Sequence, residues 1–358
     1  MSSQKGTERS AAPSRRDFMK AGGVATAAVL AHSGMPRAAR GLPALPMNPR
    51  TAESLPTRNL GRTGHRVGIF SLGGQSALER AENHQVAVPI VERALDLGVN
   101  YIDTSSIYGG PERWSERYIG EVMKKRRSEA FLASKTKERS RDGSLRMLDR
   151  SLELLQTDHL DLWQLHDIGL VEDVDAVFVK GGAMEALLEA RDQKVVRHLG
   201  LTGHFRPDAL LEAMRRFRFD AILLAVNAAD PHRFSFVAEL LPAAVEQQMG
   251  IIGMKVPARG RILSTWTPPP LERQRHSWEG AVIANGPGAL TMREAMAYAL
   301  SHPVSTVIVG CDSIEQLEEN VQLAREFTPL SARQMDELTR RAEPVADQAL
   351  FFRFVSRA

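Results

Sequence analysis

Cysteine is almost missing from this 358-residue chain, where Cys311 stands alone. One cysteine forms no internal disulfide, and no cysteine cluster exists to hold zinc or an iron–sulfur centre. No G-x-G-x-x-G follows an apolar run, so the fingerprint of a doubly wound dinucleotide-binding sheet is absent. No apolar stretch reaches the roughly 20 residues that a stable membrane-spanning helix needs. Nor is there a Lys/Arg run interleaved with aromatics, the footprint of nucleic-acid binding. The net charge of +3 is misleading on that point. Residues 1–40 carry seven Lys and Arg against two acidic residues, which leaves −2 for residues 41–358. Apolar residues do abound, at 43%, enough for a large core and too many for a disordered chain.

The basic N-terminal segment has an internal order. Arg15 and Arg16 precede Phe18 and Lys20, and a short Gly- and Ala-rich apolar stretch runs from Ala21 to Ala31. A basic region, a short apolar region and small residues near Ala38 and Ala39 describe a signal peptide. The run Ser-Arg-Arg-x-Phe-x-Lys resembles a twin-arginine export signal, a receptor-read address rather than an anchor. That resemblance implies the twin-arginine export machinery as a partner, a periplasmic or secreted destination, and export of an already folded protein. Residues 1–40 are therefore expected to be the signal and residues 41–358 the folded body.

Within the body, short apolar runs alternate with amphipathic stretches. The runs are 67–74, 100–105, 130–135, 160–166, 196–203, 221–226, 250–256 and 305–310, apolar almost throughout, as strands covered on both faces are. Between them, Val88, Val91, Ala94 and Leu95 share one helical stripe, and Leu145, Leu148, Leu152 and Leu155 another. Gly98 and Gly250 read as helix stops. Eight such units predict a single-domain α/β fold, a (β/α)8 TIM barrel. Residues 55–68, with their turn glycines, predict a hairpin closing its floor. Two connections, 167–182 and 257–290, read as long structureless loops on the face where barrel enzymes hold their sites.

The ends of three successive runs carry chemistry. The second finishes at Asp103 with Tyr108 just beyond, the third at Lys135, the fourth at His166. Each alone is a turn residue, a solvated lysine or a packed ring. Together, at neighbouring strand ends of a barrel, they converge on one pocket. A phenol near its ordinary pKa of ~10 exchanges protons poorly at neutral pH. An adjacent ammonium lowers that value, and a carboxylate keeps the ammonium charged. The expected arrangement is that Asp103 holds Lys135, Lys135 tunes Tyr108, and Tyr108 gives a proton to a substrate oxygen that His166 orients.

The segments "YIDTSSIYG", "LASK" and "LWQLH", with "LGLTGH", "GIIGMKV" and "STVIVGCDSIEQLEEN" in order behind them, resemble the aldo-keto reductases over about residues 56–330. The resemblance implies carbonyl reduction with NADP or NAD and places the family's tetrad on Asp103, Tyr108, Lys135 and His166. It also implies that the cofactor lies across the C-terminal face of the barrel. Thr202, and Asn227 as a second donor, stand for the pair that holds the carboxamide. Met254 takes the place of an aromatic stacked on nicotinamide, and Lys255 reaches the pyrophosphate or stays in solvent. Gly310 would allow close approach, Ser313 would open a helix toward phosphate, and Glu319 and Asn320 match an adenine-contacting pair. Many relatives carry Lys or Arg at 311–316, where this chain has Asp312, Ser313 and Gln316; Asp312 should repel a 2′-phosphate and weaken NADP selectivity. Trp266, Trp278 and Phe205 either line an apolar wall or pack the loops. A nonenzymatic cofactor-binding sensor, or another barrel enzyme such as a sugar isomerase or metal-dependent hydrolase, stays open. Substrate identity does too, and the chain is read as a monomer or small homo-oligomer.

Overall fold

The computed structural model describes residues 42–49, 51, 54–275 and 282–353. The expected signal, residues 1–40, and Trp278 lie outside them. Among the described residues, the eight apolar runs form parallel strands that close on themselves. They are β3 (Phe70–Gly73), β4 (Tyr101–Asp103), β5 (Phe131–Thr136), β6 (Leu160–Leu165), β7 (Val196–Gly203), β8 (Ala221–Ala225), β9 (Gly250–Met254) and β10 (Thr306–Val309). Neighbours pair in chain order, and β10 returns to β3 with Val307 opposite Phe70. The expected barrel is therefore present, built from strands whose residues are buried almost throughout.

Ahead of it, β1 (Thr57–Asn59) and β2 (Arg66–Gly68) form the expected antiparallel hairpin, with Thr57 opposite Gly68. Leu60 and Val67 of this hairpin pack with Tyr101, Phe131, Leu162 and Ile252, so the start of the barrel is filled. The contact is close: a Cβ at Gly61 would stand 2.2 Å from the Gly250 nitrogen, and Gly61 has φ +51°. Burial of this plug is worth about 1.5–3 kcal/mol per large apolar side chain.

The helices form where the apolar stripes predict them. His84–Asp96 buries Ala87, Ile90, Val91, Ala94 and Leu95, and Gly98 beyond it takes φ +86°. Arg141–Leu155 buries Leu148, Leu154 and Leu155, and the Ser140 hydroxyl caps it by accepting from the Gly143 N–H. That cap contributes about 1 kcal/mol.

Two expectations need correction. Gly250 does not stop a helix. Gln248 adopts the left-handed turn, at φ +55°, while Gly250 opens β9 against Leu60. The connection 167–182 is not structureless either: Val171–Phe178 is helical, started by the Asp173 carboxylate, which accepts from the Leu170 N–H at 3.0 Å. In 257–290, Leu271–Arg275 is a short helix.

Candidate active site

Asp103 is the last residue of β4, and Lys135 lies in β5 beside it, opposite Gln164 of β6. His166 directly follows β6. Adjacent parallel strands in register thus bring three polar side chains to one end of the barrel. Asp103, Lys135 and His166 are buried, and Tyr108 is half-buried on the turn after β4.

The Lys135 ammonium donates to Asp103 Oδ2 and, at 2.6 Å, to the Thr104 carbonyl. Gln164 Nε2 reaches Asp103 Oδ1 at 3.4 Å. Burial pushes the Asp103 carboxyl up and the Lys135 ammonium down, and each opposes the other's shift by attraction. Ser105 Oγ lies 2.9 Å from His166 Nδ1. Burial, then the nearby Lys135 charge, holds the His166 imidazole well below its usual pKa, so it is neutral at pH 7. In the tautomer in which Ser105 donates to Nδ1, His166 carries its hydrogen on Nε2.

Tyr108 joins this group through its ring. Lys135 Nζ lies 5.1 Å from the ring centroid, and the His166 ring meets it edge-on at 5.9 Å. Here the expected tuning is corrected. Burial, followed by the Asp103 carboxylate, raises the phenol well above its ordinary pKa. Lys135, whose hydrogen bonds go to Asp103 and Thr104, does not outweigh these effects. The phenol is kept as an acid rather than primed as a phenolate.

A cavity of about 640 Å³ opens beside Tyr108 and Asp103, between the segments following β3, β9 and β10. Met254, the last residue of β9, and Lys255 beyond it line it; Gly310, Asp312, Gln316, Glu319 and Asn320 line it after β10. Trp266 is on its wall, while Phe205 packs edge-on to Phe234 at 5.7 Å. Lys255, Ala258 and Arg259 all have positive φ, of 60°, 50° and 55°. Such strain gathers where loops are shaped for a ligand.

Other expected residues are placed differently. Asn227 spends its amide on backbone, donating to the Lys255 carbonyl at 3.0 Å and accepting from the Ala229 N–H at 3.0 Å. It does not line the cavity. Thr202 is fully buried at the end of β7, and its hydroxyl has no hydrogen-bond partner. Ser313 does cap the helix Ile314–Arg325, but its hydroxyl already takes the Gln316 N–H at 3.2 Å. Asn320 is buried and donates to Cys311 Sγ at 3.6 Å; burial pushes the Cys311 thiol up to about 12. The missing Cβ of Gly310 makes room for the Gln75 backbone, which it would meet at 3.1 Å.

The largest surprise is Asp312. Its carboxylate is paired with Arg80 at 2.6 Å, so it does not face the cavity as an unopposed negative charge. Arg80, Gln75 and Glu79 from the segment after β3, and Arg259 after β9, line the cavity without having been picked out from the sequence. No local motif marks them; only the strand order β10–β3 brings them in.

The sequence profile of the aldo/keto reductase family matches residues 66–343. The chain belongs to this family. It is similar to an uncharacterized oxidoreductase, YqkF, of Bacillus subtilis, with 27% identity over 75% of this chain and 90% of that protein. It is also similar to the L-galactose dehydrogenase of Arabidopsis thaliana, with 29% identity over 80% of this chain and 94% of that one. Among solved structures, the holo form of an aldo-keto reductase of Bacillus halodurans superposes with a TM-score of 0.63. It shares 26% identity and covers 80% of this chain and 96% of its own. As a member of the aldo/keto reductase family, the protein is an oxidoreductase on a (β/α)8 barrel. Residues 12–32 match the twin-arginine translocation signal sequence, which directs the chain to the periplasm or beyond. No helix among the described residues is long and apolar enough to cross a membrane.

Proposed function

We propose that the protein reduces an aldehyde or ketone to an alcohol, reversibly, with NADPH or NADH, and that Tyr108 is the proton donor. The observation that carries this reading is the placing of Tyr108: its ring lies 5.9 Å, edge-on, from the His166 ring and 5.1 Å from Lys135 Nζ, over the buried Lys135–Asp103 pair. Its acidity is useless for water chemistry but suited to an oxygen that becomes strongly basic as a hydride reaches its carbon.

The residues present fit a nicotinamide dinucleotide. The cavity has the volume of a cofactor site. Lys255, Arg259 and Arg80 line it as cations suited to a diphosphate, with Arg80 paired to Asp312 and Arg259 3.6 Å from Glu79. The Thr202 hydroxyl, buried without a partner, is the kind of group a carboxamide satisfies, but Thr202 is fully buried and does not line the cavity. Bound there, the cofactor supplies the hydride.

The protein's part is then acid–base and positional. His166 Nε2–H donates to the carbonyl oxygen and holds it near Tyr108. As the C=O π bond breaks, Tyr108 Oη–H gives its proton to that oxygen, and the phenol is later reprotonated from solvent. The Lys135 ammonium, 5.1 Å from the ring centroid, steadies the transient phenolate, and Asp103 keeps Lys135 charged and in place. In the oxidative direction the same phenol recovers the proton.

Residues 41–358 are proposed as the mature enzyme. Because free nicotinamide nucleotide is scarce outside the cytoplasm, the cofactor is proposed to be loaded before export and held, or recycled in place by paired reduction and oxidation. Titrating the purified protein with NADH and NADPH, following nicotinamide fluorescence, tests the reading. Saturable binding of at least one, and its oxidation on adding a small aldehyde or ketone, is expected. Binding of neither overturns it.

A further inference from the structure

The turn between Asp103 and Tyr108 opens with three hydroxyls in a row, Thr104, Ser105 and Ser106, all buried. Each goes to a different partner. Thr104 Oγ1 lies 2.8 Å from Ser115 Oγ, and Ser106 donates to the Lys135 carbonyl at 2.9 Å. Those two bonds hold the turn to its surroundings. Ser105 alone of the three reaches a titratable side chain, the His166 imidazole, at 2.9 Å from Nδ1. The backbone keeps both groups in place. The Thr104 N–H donates to the Ala133 carbonyl at 2.9 Å, and the His166 N–H to the Thr136 carbonyl at 2.8 Å. The Ser105 carbonyl in turn accepts from the Tyr108 N–H at 3.1 Å.

Either atom of the Ser105–His166 contact can donate, and its surroundings decide between them. If Nδ1–H donated, the Ser105 O–H would need a second acceptor. Ser105 is fully buried, and its oxygen has no other hydrogen-bond partner among the described residues. A buried hydroxyl hydrogen left unmet is costly. If Ser105 donates, both atoms of the contact are satisfied, and the hydrogen of the neutral imidazole sits on Nε2. Nε2 has no partner among the described residues, yet it is not sealed inside the protein. An incoming oxygen can therefore take its hydrogen bond.

We propose that Ser105 is a positioning residue, whose hydroxyl fixes the His166 hydrogen on Nε2 and so presents a donor to the substrate oxygen. Its part in the reaction rests on the carbonyl-reduction reading above. A ring nitrogen lone pair would repel a carbonyl oxygen. An N–H instead aligns that oxygen beside Tyr108 and takes up the negative charge that grows on it as hydride arrives. Ser105 itself touches neither substrate nor cofactor and acts only through His166.

The test is the ring-nitrogen NMR spectrum of the purified, histidine-labelled protein, with the His166 signals identified by their loss in His166→Gln. At neutral pH the native protein should show a bare Nδ1 and a protonated Nε2. In Ser105→Ala the two signals should move toward each other as both tautomers become populated, and single-turnover reduction should slow about tenfold or more. Ser106→Ala removes a hydroxyl of the same turn and should leave both signals in place. That separates loss of the Nδ1 donor from a general loosening of the turn. A native Nδ1–H, signals that stay put in Ser105→Ala, or signals that move equally in Ser106→Ala overturn the inference. Signals that move in Ser105→Ala without slower reduction overturn its part in the reaction. A native protein that reduces no carbonyl overturns the reductase reading instead, and the ring signals still decide where the hydrogen sits.

Discussion

Two aspartate–cation pairs line or adjoin the same cavity, and they are opposites. Lys135 and Asp103 are fully buried, side by side on adjacent strands, and further held by Thr104 and Gln164. Arg80 and Asp312 are half-exposed and come from segments after β3 and β10, with no strand residue in either. The buried pair is placed by the barrel itself, and its geometry is set before any ligand arrives. The exposed pair is placed by loops, is screened by water, and can exchange partners.

The contrast is sharpest in the buried pair. Lys135→Met should leave Asp103 buried without its cation and cost about 3–5 kcal/mol of stability, read from the denaturant midpoint. The double variant Asp103→Asn/Lys135→Met should recover a large part of that loss without recovering turnover. If Lys135→Met is as stable as the native protein, the pair is not the rigid element described above.

The pH profile of carbonyl reduction gives a second, smaller effect. A donor whose pKa lies above the ordinary ~10 of tyrosine stays protonated as pH rises. Single-turnover reduction should therefore stay nearly flat from about pH 6 to pH 9, with no limb from His166, which is neutral throughout. A fall with an apparent pKa of about 7–8 would show that Lys135 lowers the phenol after all. The smallest effect belongs to the exposed pair: a double-mutant cycle on Arg80 and Asp312 should give a coupling below about 1 kcal/mol in stability. A coupling as large as that of the buried pair would erase the distinction between the two ends.

The same division explains what was legible in the sequence. Strands buried on both faces announce themselves as apolar runs, so the eight strands and the closing hairpin could be read from 57 to 309. Asp103, Lys135 and His166 stand at or beside strand ends, where register alone brings them together. What could not be read depends on loops and on competition among charges. Asp312 looked repulsive because nothing near it in sequence reveals Arg80. Lys135 looked like the group that acidifies Tyr108 because its two hydrogen bonds, to Asp103 and to the Thr104 carbonyl, are tertiary facts. Asn227 looked available because its commitment to the Lys255 and Ala229 backbone arises only when the turns after β8 and β9 meet. The helix Val171–Phe178 was hidden because its start is set by Asp173 rather than by a Ser or Thr cap.

The central claim is that Tyr108 delivers the proton while a hydride arrives from bound nicotinamide. It is tested most directly by single-turnover oxidation of the bound, reduced cofactor upon addition of a small aldehyde or ketone, in the native protein and in Tyr108→Phe. The native protein should oxidise the bound cofactor stoichiometrically. Tyr108→Phe should bind it equally well and react at least about 100-fold more slowly. Equal rates in the two proteins would contradict the account.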